Sequence, residues 1–156
     1  MEAVALSCVP KLVDATTEVF EKMVFTTLGV IEPLVNHAPP PANVMGAVRF
    51  LGTVSGTVSF YASQTTACQI AGKLLGISPE EARSHVPDAV GEITNMIAGR
   101  FRAKMAQAGE SLAITTPTVT TGTDFSAQHF GVVFRSLCPF TMGDGTVFVE
   151  LVLQAA

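Results

Sequence analysis

Four residues in the second half of the chain have types and spacing that could act on a ligand together: Asp88, Glu92, Asn95 and Gly99. At about 100° per residue they fall on one side of a helix. Val90, Ile93, Ile97 and Phe101 fall on the other side, which must be the core face. A carboxylate can hold an ammonium group. A carboxamide donates and accepts at once, which is what orienting a water for in-line attack on phosphorus requires. Neither Glu92 nor Asn95 is a strong nucleophile, and neither is flanked by His or Cys. The chemistry open to the pair is therefore positional: aligning a water inside a site that a partner supplies. Gly99 in mid-helix costs about 1 kcal/mol against alanine. Close approach of a partner's backbone would account for it; so would helix–helix packing within the protein, or simple tolerance. A Glu and an Asn three apart are also commonplace on solvated helix faces.

The helix that carries these residues is predicted from about Asp88 to Ala108, closed by Gly109. Pro87 cuts it off from a short preceding helix. That one starts at Ser78-Pro79-Glu80-Glu81, with a cap, a proline in the first turn and acids near the positive dipole end. A cleaner helix precedes both. Ser63 caps it, Ala67, Ile70, Ala71, Leu74 and Leu75 form its buried face, and Gly76 ends it. A first helix is expected from roughly Cys8 to Leu28, with Pro10 in its first turn and Gly29 at its exit. Asn36 to Asn43, with three consecutive prolines, reads as a loop. Strand patterns cover Val44 to Leu51 and Val54 to Tyr61, joined near Gly52-Thr53. Others cover Leu112 to Thr121, Gln128 to Leu137 and Thr146 to Leu153, with a hairpin at Asp144-Gly145. The order is helix, two strands, two helices, three strands. That is an α+β fold, an α/β sandwich of helices on a largely antiparallel β-sheet, in one domain over residues 1–156.

The whole chain narrows the function further. Its 48% hydrophobic and 14% charged content is that of a packed domain, which argues against disorder. A net charge of −4 and the lack of a Lys/Arg stripe exclude a nucleic-acid ligand. No basic amphipathic segment offers a membrane surface, and no apolar run is long enough to span a bilayer. The N-terminal Met1-Glu2-Ala3-Val4 lacks the features of a secretory leader, so the expected location is cytoplasmic. Cys8, Cys68 and Cys138 are widely spaced and odd in number, which favours free buried thiols over a disulfide framework.

The run from Asp88 to Gly99 resembles the D-x-x-x-E-x-x-N signature of the CheC/CheX/FliY phosphatases of bacterial chemotaxis. The resemblance extends to Val54-Ser55-Gly56-Thr57-Val58-Ser59-Phe60 with the following helix, to Pro117-Thr118-Val119 and to the closing strands. It covers nearly the whole chain. The family resemblance implies a phosphorylated CheY-like receiver protein as partner and substrate. Glu92 would pair with the receiver's lysine and Asn95 would place the hydrolytic water. Asp88 and Gly99 would belong to the docking face. The acyl phosphate and its Mg²⁺ would belong to the partner, so no cofactor or metal of the chain's own is expected. CheC-type members carry two copies of the motif. Here one occurs, which points to the CheX-like branch and, by resemblance, to a homodimer.

Other signals are weaker. His37, His85 and His129 are too scattered for a metal motif, and no C-x-x-C, Walker A or G-x-S-x-G sequence occurs. Met96 and Met105 suit packing. Arg100, Arg102 and Lys104 either complement the helix dipole or meet an acidic receiver surface. The competing reading is a non-catalytic receiver-binding or dimerisation module that uses the same helix face.

Overall fold

Among the described residues each of three α-helices is amphipathic, and one β-sheet covers their apolar stripes. The computed structural model describes residues 2–122 and 129–155. Helix α1 (Glu2–Val19) continues as a π-helical turn, Phe20–Val24. Two short strands follow, β1 (Gly29–Val30) and β2 (Leu34–Val35), then a hairpin of β3 (Val44–Gly52) and β4 (Ser55–Ala62). Next come α2 (Gln64–Leu75), a 3₁₀ turn (Glu81–His85) and α3 (Val86–Gln107). The chain closes with β5 (Leu112–Ile114), β6 (Thr118–Thr121), β7 (Val132–Met142) and β8 (Gly145–Gln154). All pairings among the described residues are antiparallel. The sheet runs β1-β7-β8-β4-β3-β5, with β2 also on β7 and β6 also on β3. The α+β sandwich expected from the sequence is therefore present.

Both edges of the sheet are broken, and each break ends on a proline. Pro33 immediately precedes β2 and Pro117 immediately precedes β6. A proline has no N–H to give to a ladder, so it interrupts an edge strand and blunts the edge. The expected strand from Leu112 to Thr121 is accordingly two strands on β3, one on each side of residues 115–117. Pro139 inside β7 obeys the same rule. Its carbonyl accepts from Ile31 at 3.2 Å, so its missing N–H also faces the gap between β1 and β2.

Local sequence accounts for α2 in full. Ser63 accepts a bond from the N–H of Thr66 at 3.2 Å, and Gly76 ends the helix with φ 70°. The 3₁₀ turn opens on a reciprocal capping box. Glu81 N–H donates to Ser78 Oγ at 3.1 Å, and Ser78 N–H donates to Glu81 Oε1 at 3.3 Å.

Several expectations need correction. The first helix starts at Glu2, so Pro10 lies in its interior. Pro10 removes the bond to the carbonyl of Leu6, and both residues face solvent, where water can satisfy that group. The helix leaves through Phe25 at φ 56°, and Gly29 belongs to β1. The segment after it holds two strands ahead of the proline loop; pieces of two residues carry no period to read. The strand expected up to Leu137 runs on to Met142, and its start at Gln128 lies outside the described residues. The last hairpin turns at Gly143-Asp144, with Met142 opposite Gly145 and φ 56° at Gly143. Pro87 sits in the first turn of α3 and begins that helix. Cys8, Cys68 and Cys138 are free and buried.

One core joins the helices to a single face of the sheet. Val58 and Phe60 from β4 and Val149 and Leu151 from β8 are buried among Leu12, Phe20, Ile70, Ile93 and Ile97. Phe20 meets Phe60 with ring centroids 6.1 Å apart, and Phe50 meets Phe101 edge-on at 5.5 Å.

Candidate functional site

Helix α3 lies across β3, β4, β5 and β6 and is flanked by α1 and α2. Val90, Ile93, Ile97, Phe101 and Met105 are buried, so the apolar stripe anticipated from the sequence is the one that meets the sheet. Thr94, also fully buried, donates its hydroxyl to Val90 O at 2.7 Å and needs no outside partner. Glu92 lies two residues before Thr94, about 160° round the helix, and so must point outward. Asp88 and Glu92 are exposed, while Asn95 and Gly99 are half-buried. The four residues singled out in the sequence thus share one outward stripe.

The two flanks of this stripe differ. On one, Gly91 brings α3 close to the sheet edge, because a Cβ there would stand 3.3 Å from Val119 Cγ2. Asn95 is four residues further along that flank and is half-buried. On the other, Leu74 and Leu75 of α2 line a cleft with His85, Asp88, Ala89 and Glu92. Met105 is buried and Met96 packs against the core, as expected for packing residues.

Among the described residues, none of the ion pairs or side-chain hydrogen bonds takes up the polar groups of the stripe. The side-chain hydrogen bonds that α3 donates come from Thr94, Arg100 and Lys104. Among the described residues no ion pair takes up Asp88 or Glu92. Among the described residues nothing lies within 4 Å of a Cβ placed on Gly99, so helix packing among them does not explain this glycine. A glycine that close packing against α3 does require is Gly46 of β3, beneath Thr94, to which the sequence pattern gives no role.

Two of the three basic residues near the helix end have another task. Arg100 and Lys104 reach Glu18 of α1 at 3.3 and 2.8 Å, which ties α1 to α3 and holds the Glu18 carboxyl below its usual range, chiefly through the Lys104 hydrogen bond. Arg102 is left exposed. No group of three His, Cys, Asp or Glu able to hold a metal ion occurs among the described residues, and no described helix is long and apolar enough to cross a membrane.

Residues 44–141 match the family model for chemotaxis phosphatase CheX, a stretch from the first residue of β3 to the penultimate residue of β7 that includes the whole of α3. The chain belongs to the CheX family. Among curated proteins, the CheY-P phosphatase CheX of Thermotoga maritima is 28% identical over 102 residues, which is 65% of this chain and 66% of that relative's length. Among solved structures, a chemotaxis protein CheX from Desulfovibrio desulfuricans superposes with a TM-score of 0.86 at 27% identity, covering 95% of this chain and 99% of that one. A CheX–CheY–BeF₃–Mg²⁺ complex from Borrelia burgdorferi gives a TM-score of 0.81 over 94% of this chain and 97% of the other. At 22% identity that likeness establishes the fold. The CheX architecture thus covers α1 as well, which lies outside the family-model match.

Proposed function

We propose that this CheX-family chain hydrolyses the aspartyl phosphate of a CheY-like receiver protein. The observation that carries this is a carboxylate and a carboxamide three residues apart on one outward stripe of α3, neither taken up by an ion pair or an α3 donor bond among the described residues. The Thermotoga relative, named a CheY-P phosphatase, supports the substrate class. Glu92 pairs with the receiver's lysine and holds the two proteins in register. Asn95 accepts a hydrogen bond from a water and aims its oxygen at phosphorus, opposite the aspartyl oxygen. The water oxygen bonds to phosphorus as the bond to the carboxylate breaks, which releases inorganic phosphate and restores the aspartate. Asp88 and Gly99 complete the docking face. The phosphate and its Mg²⁺ are the receiver's. A receiver substrate also places the chain in the cytoplasm.

The same proposal includes a homodimer. Val30, Ile31, Leu34 and Val35 at one edge, with Val132 and Val133 of β7, are exposed apolar residues on one side of the molecule. An apolar strip of this kind suits a second copy of the chain. Val35→Lys is expected to shift the mass in light scattering from dimer to monomer. A monomeric wild type would remove this part of the proposal.

The test is phosphate release from a panel of acyl-phosphorylated receivers, with wild type, Glu92→Ala and Asn95→Ala beside spontaneous decay. Acceleration of at least one receiver is expected. Asn95→Ala should lower it by about 100-fold while binding survives, and Glu92→Ala should weaken both. Receivers that all decay at their own rates would refute catalysis. A receiver that binds without faster decay would instead identify a docking module.

A further inference from the structure

The stripe on α3 does not end at its polar residues. Beside Glu92 lies a cleft of about 280 Å³ whose walls are Leu74, Leu75 and Ala89 and whose rim is His85, Asp88 and Glu92. Leu75 is 48% exposed. It stands in the last turn of α2, and the helix stops immediately after it at Gly76. Drug-sized ligands need roughly 300–1,000 Å³, mostly enclosed, so a cleft of this size suits one side chain better than a small molecule.

Resting on the receiver-docking function proposed above, we infer that this cleft is a socket for one apolar side chain of the docked receiver, adjacent to the cation that Glu92 engages. Three features commit it to that occupant. The socket is continuous with the proposed interface, since Glu92 and Asp88 belong to both. Its rim is negative, with two carboxylates four residues apart and no ion pair to either among the described residues, so it favours an apolar group next to a Lys or Arg. Its wall is an exposed leucine, whose apolar surface leaves water only when something docks. Glu92 and Asn95 then orient the chemistry, and Leu75 supplies affinity and selects among receivers by the side chain they offer.

The experiment titrates a beryllofluoride-activated receiver against wild type, Leu75→Asp and Asn95→Ala, and measures KM and kcat for phosphate release in parallel. Leu75→Asp should weaken binding and raise KM by about tenfold or more, with kcat at saturating receiver retained. Asn95→Ala should do the reverse. Because Leu75 is half exposed, the variant is expected to keep its thermal midpoint, which a melt checks. A second probe uses the burial of the three native cysteines. An environment-sensitive dye on Leu75→Cys should shift to the blue when the activated receiver binds. Unchanged affinity and KM in Leu75→Asp, or an unmoved dye despite binding, would overturn the socket and leave the phosphatase standing. A wild type that binds no activated receiver would overturn both.

Discussion

The hydroxyl of Thr94 in α3 occupies the space that a side chain on Gly46 of β3 would need. This contact sets how deeply α3 lies on the sheet, and therefore how far Glu92 and Asn95 stand out from it. Gly46→Ala should overpack the contact and destabilise the protein by about 1–3 kcal/mol in urea unfolding. Val90 Cγ1 would be 3.2 Å from the new Cβ, so relief by shifting α3 is limited. Adding Thr94→Ala should recover part of the loss, giving a favourable coupling in the double-mutant cycle. Additive effects would show that the two residues do not press on one another.

Gly99 behaves in the opposite way. It is helical, and nothing lies within 4 Å of a Cβ built there. Gly99→Ala should therefore stabilise the protein by about 0.5–1 kcal/mol through helix propensity. If a receiver's backbone docks against this position, the same substitution weakens binding. Higher stability with lower affinity would separate docking from folding in one variant. Unchanged affinity would remove Gly99 from the interface.

What the sequence reveals and conceals follows the range of the interactions. Ser63 and Gly76 delimit α2 through bonds within a few residues, and the buried face of α3 repeats every three or four positions, so both are visible locally. The outward stripe is visible by subtraction. The roles of Arg100 and Lys104 are not, because Glu18 lies more than eighty positions away and only the fold brings it near. Gly46 looks like any strand glycine until α3 is laid over it. The pieces β1 and β2 are too short for a period, and their order depends on β7, a hundred residues later.

The Glu18 cluster gives a pH-dependent prediction. Hydrogen bonding from Lys104 is the largest cause of its lowered pKa, with the charges of Lys104 and Arg100 adding to it. A carboxyl depressed in the folded state contributes stability above its unfolded pKa and loses it as pH falls through the folded value. Glu18→Gln should therefore lower the thermal midpoint at pH 7, by no more than about 1 kcal/mol in free energy because the pairs are partly solvated. The gap between mutant and wild type should close below the ordinary carboxylate range. A gap that persists there would mean Glu18 acts through packing.

The far face of the sheet holds a charge that the proposed chemistry does not use. Glu150 alternates with the core residues Val149 and Leu151, so it points away from the helices, and its side chain is fully buried. Arg135 donates to Glu150 Oε2 through Nε at 3.2 Å and Nη2 at 2.6 Å, and Tyr61 donates to Oε1 at 3.1 Å. Burial, with the Glu150 charge beside it, pushes the Tyr61 phenol above its usual range, so Tyr61 remains a donor at neutral pH. Removing one partner strands a buried carboxylate. Arg135→Ala should thus cost about 3–5 kcal/mol in chemical denaturation. Arg135→Met with Glu150→Leu removes both charges and should recover most of that loss. His129 stands near the same pair, and burial lowers its pKa. Its protonation on unfolding should make the wild type lose stability as pH drops below the ordinary histidine range near 6.5. His129→Gln should flatten that part of the profile. Because α3 lies across the sheet from these groups, the folded Arg135→Met, Glu150→Leu protein should release phosphate from a receiver at the wild-type rate. A large fall in kcat without loss of fold would mean that the far face communicates with Asn95 through the sheet.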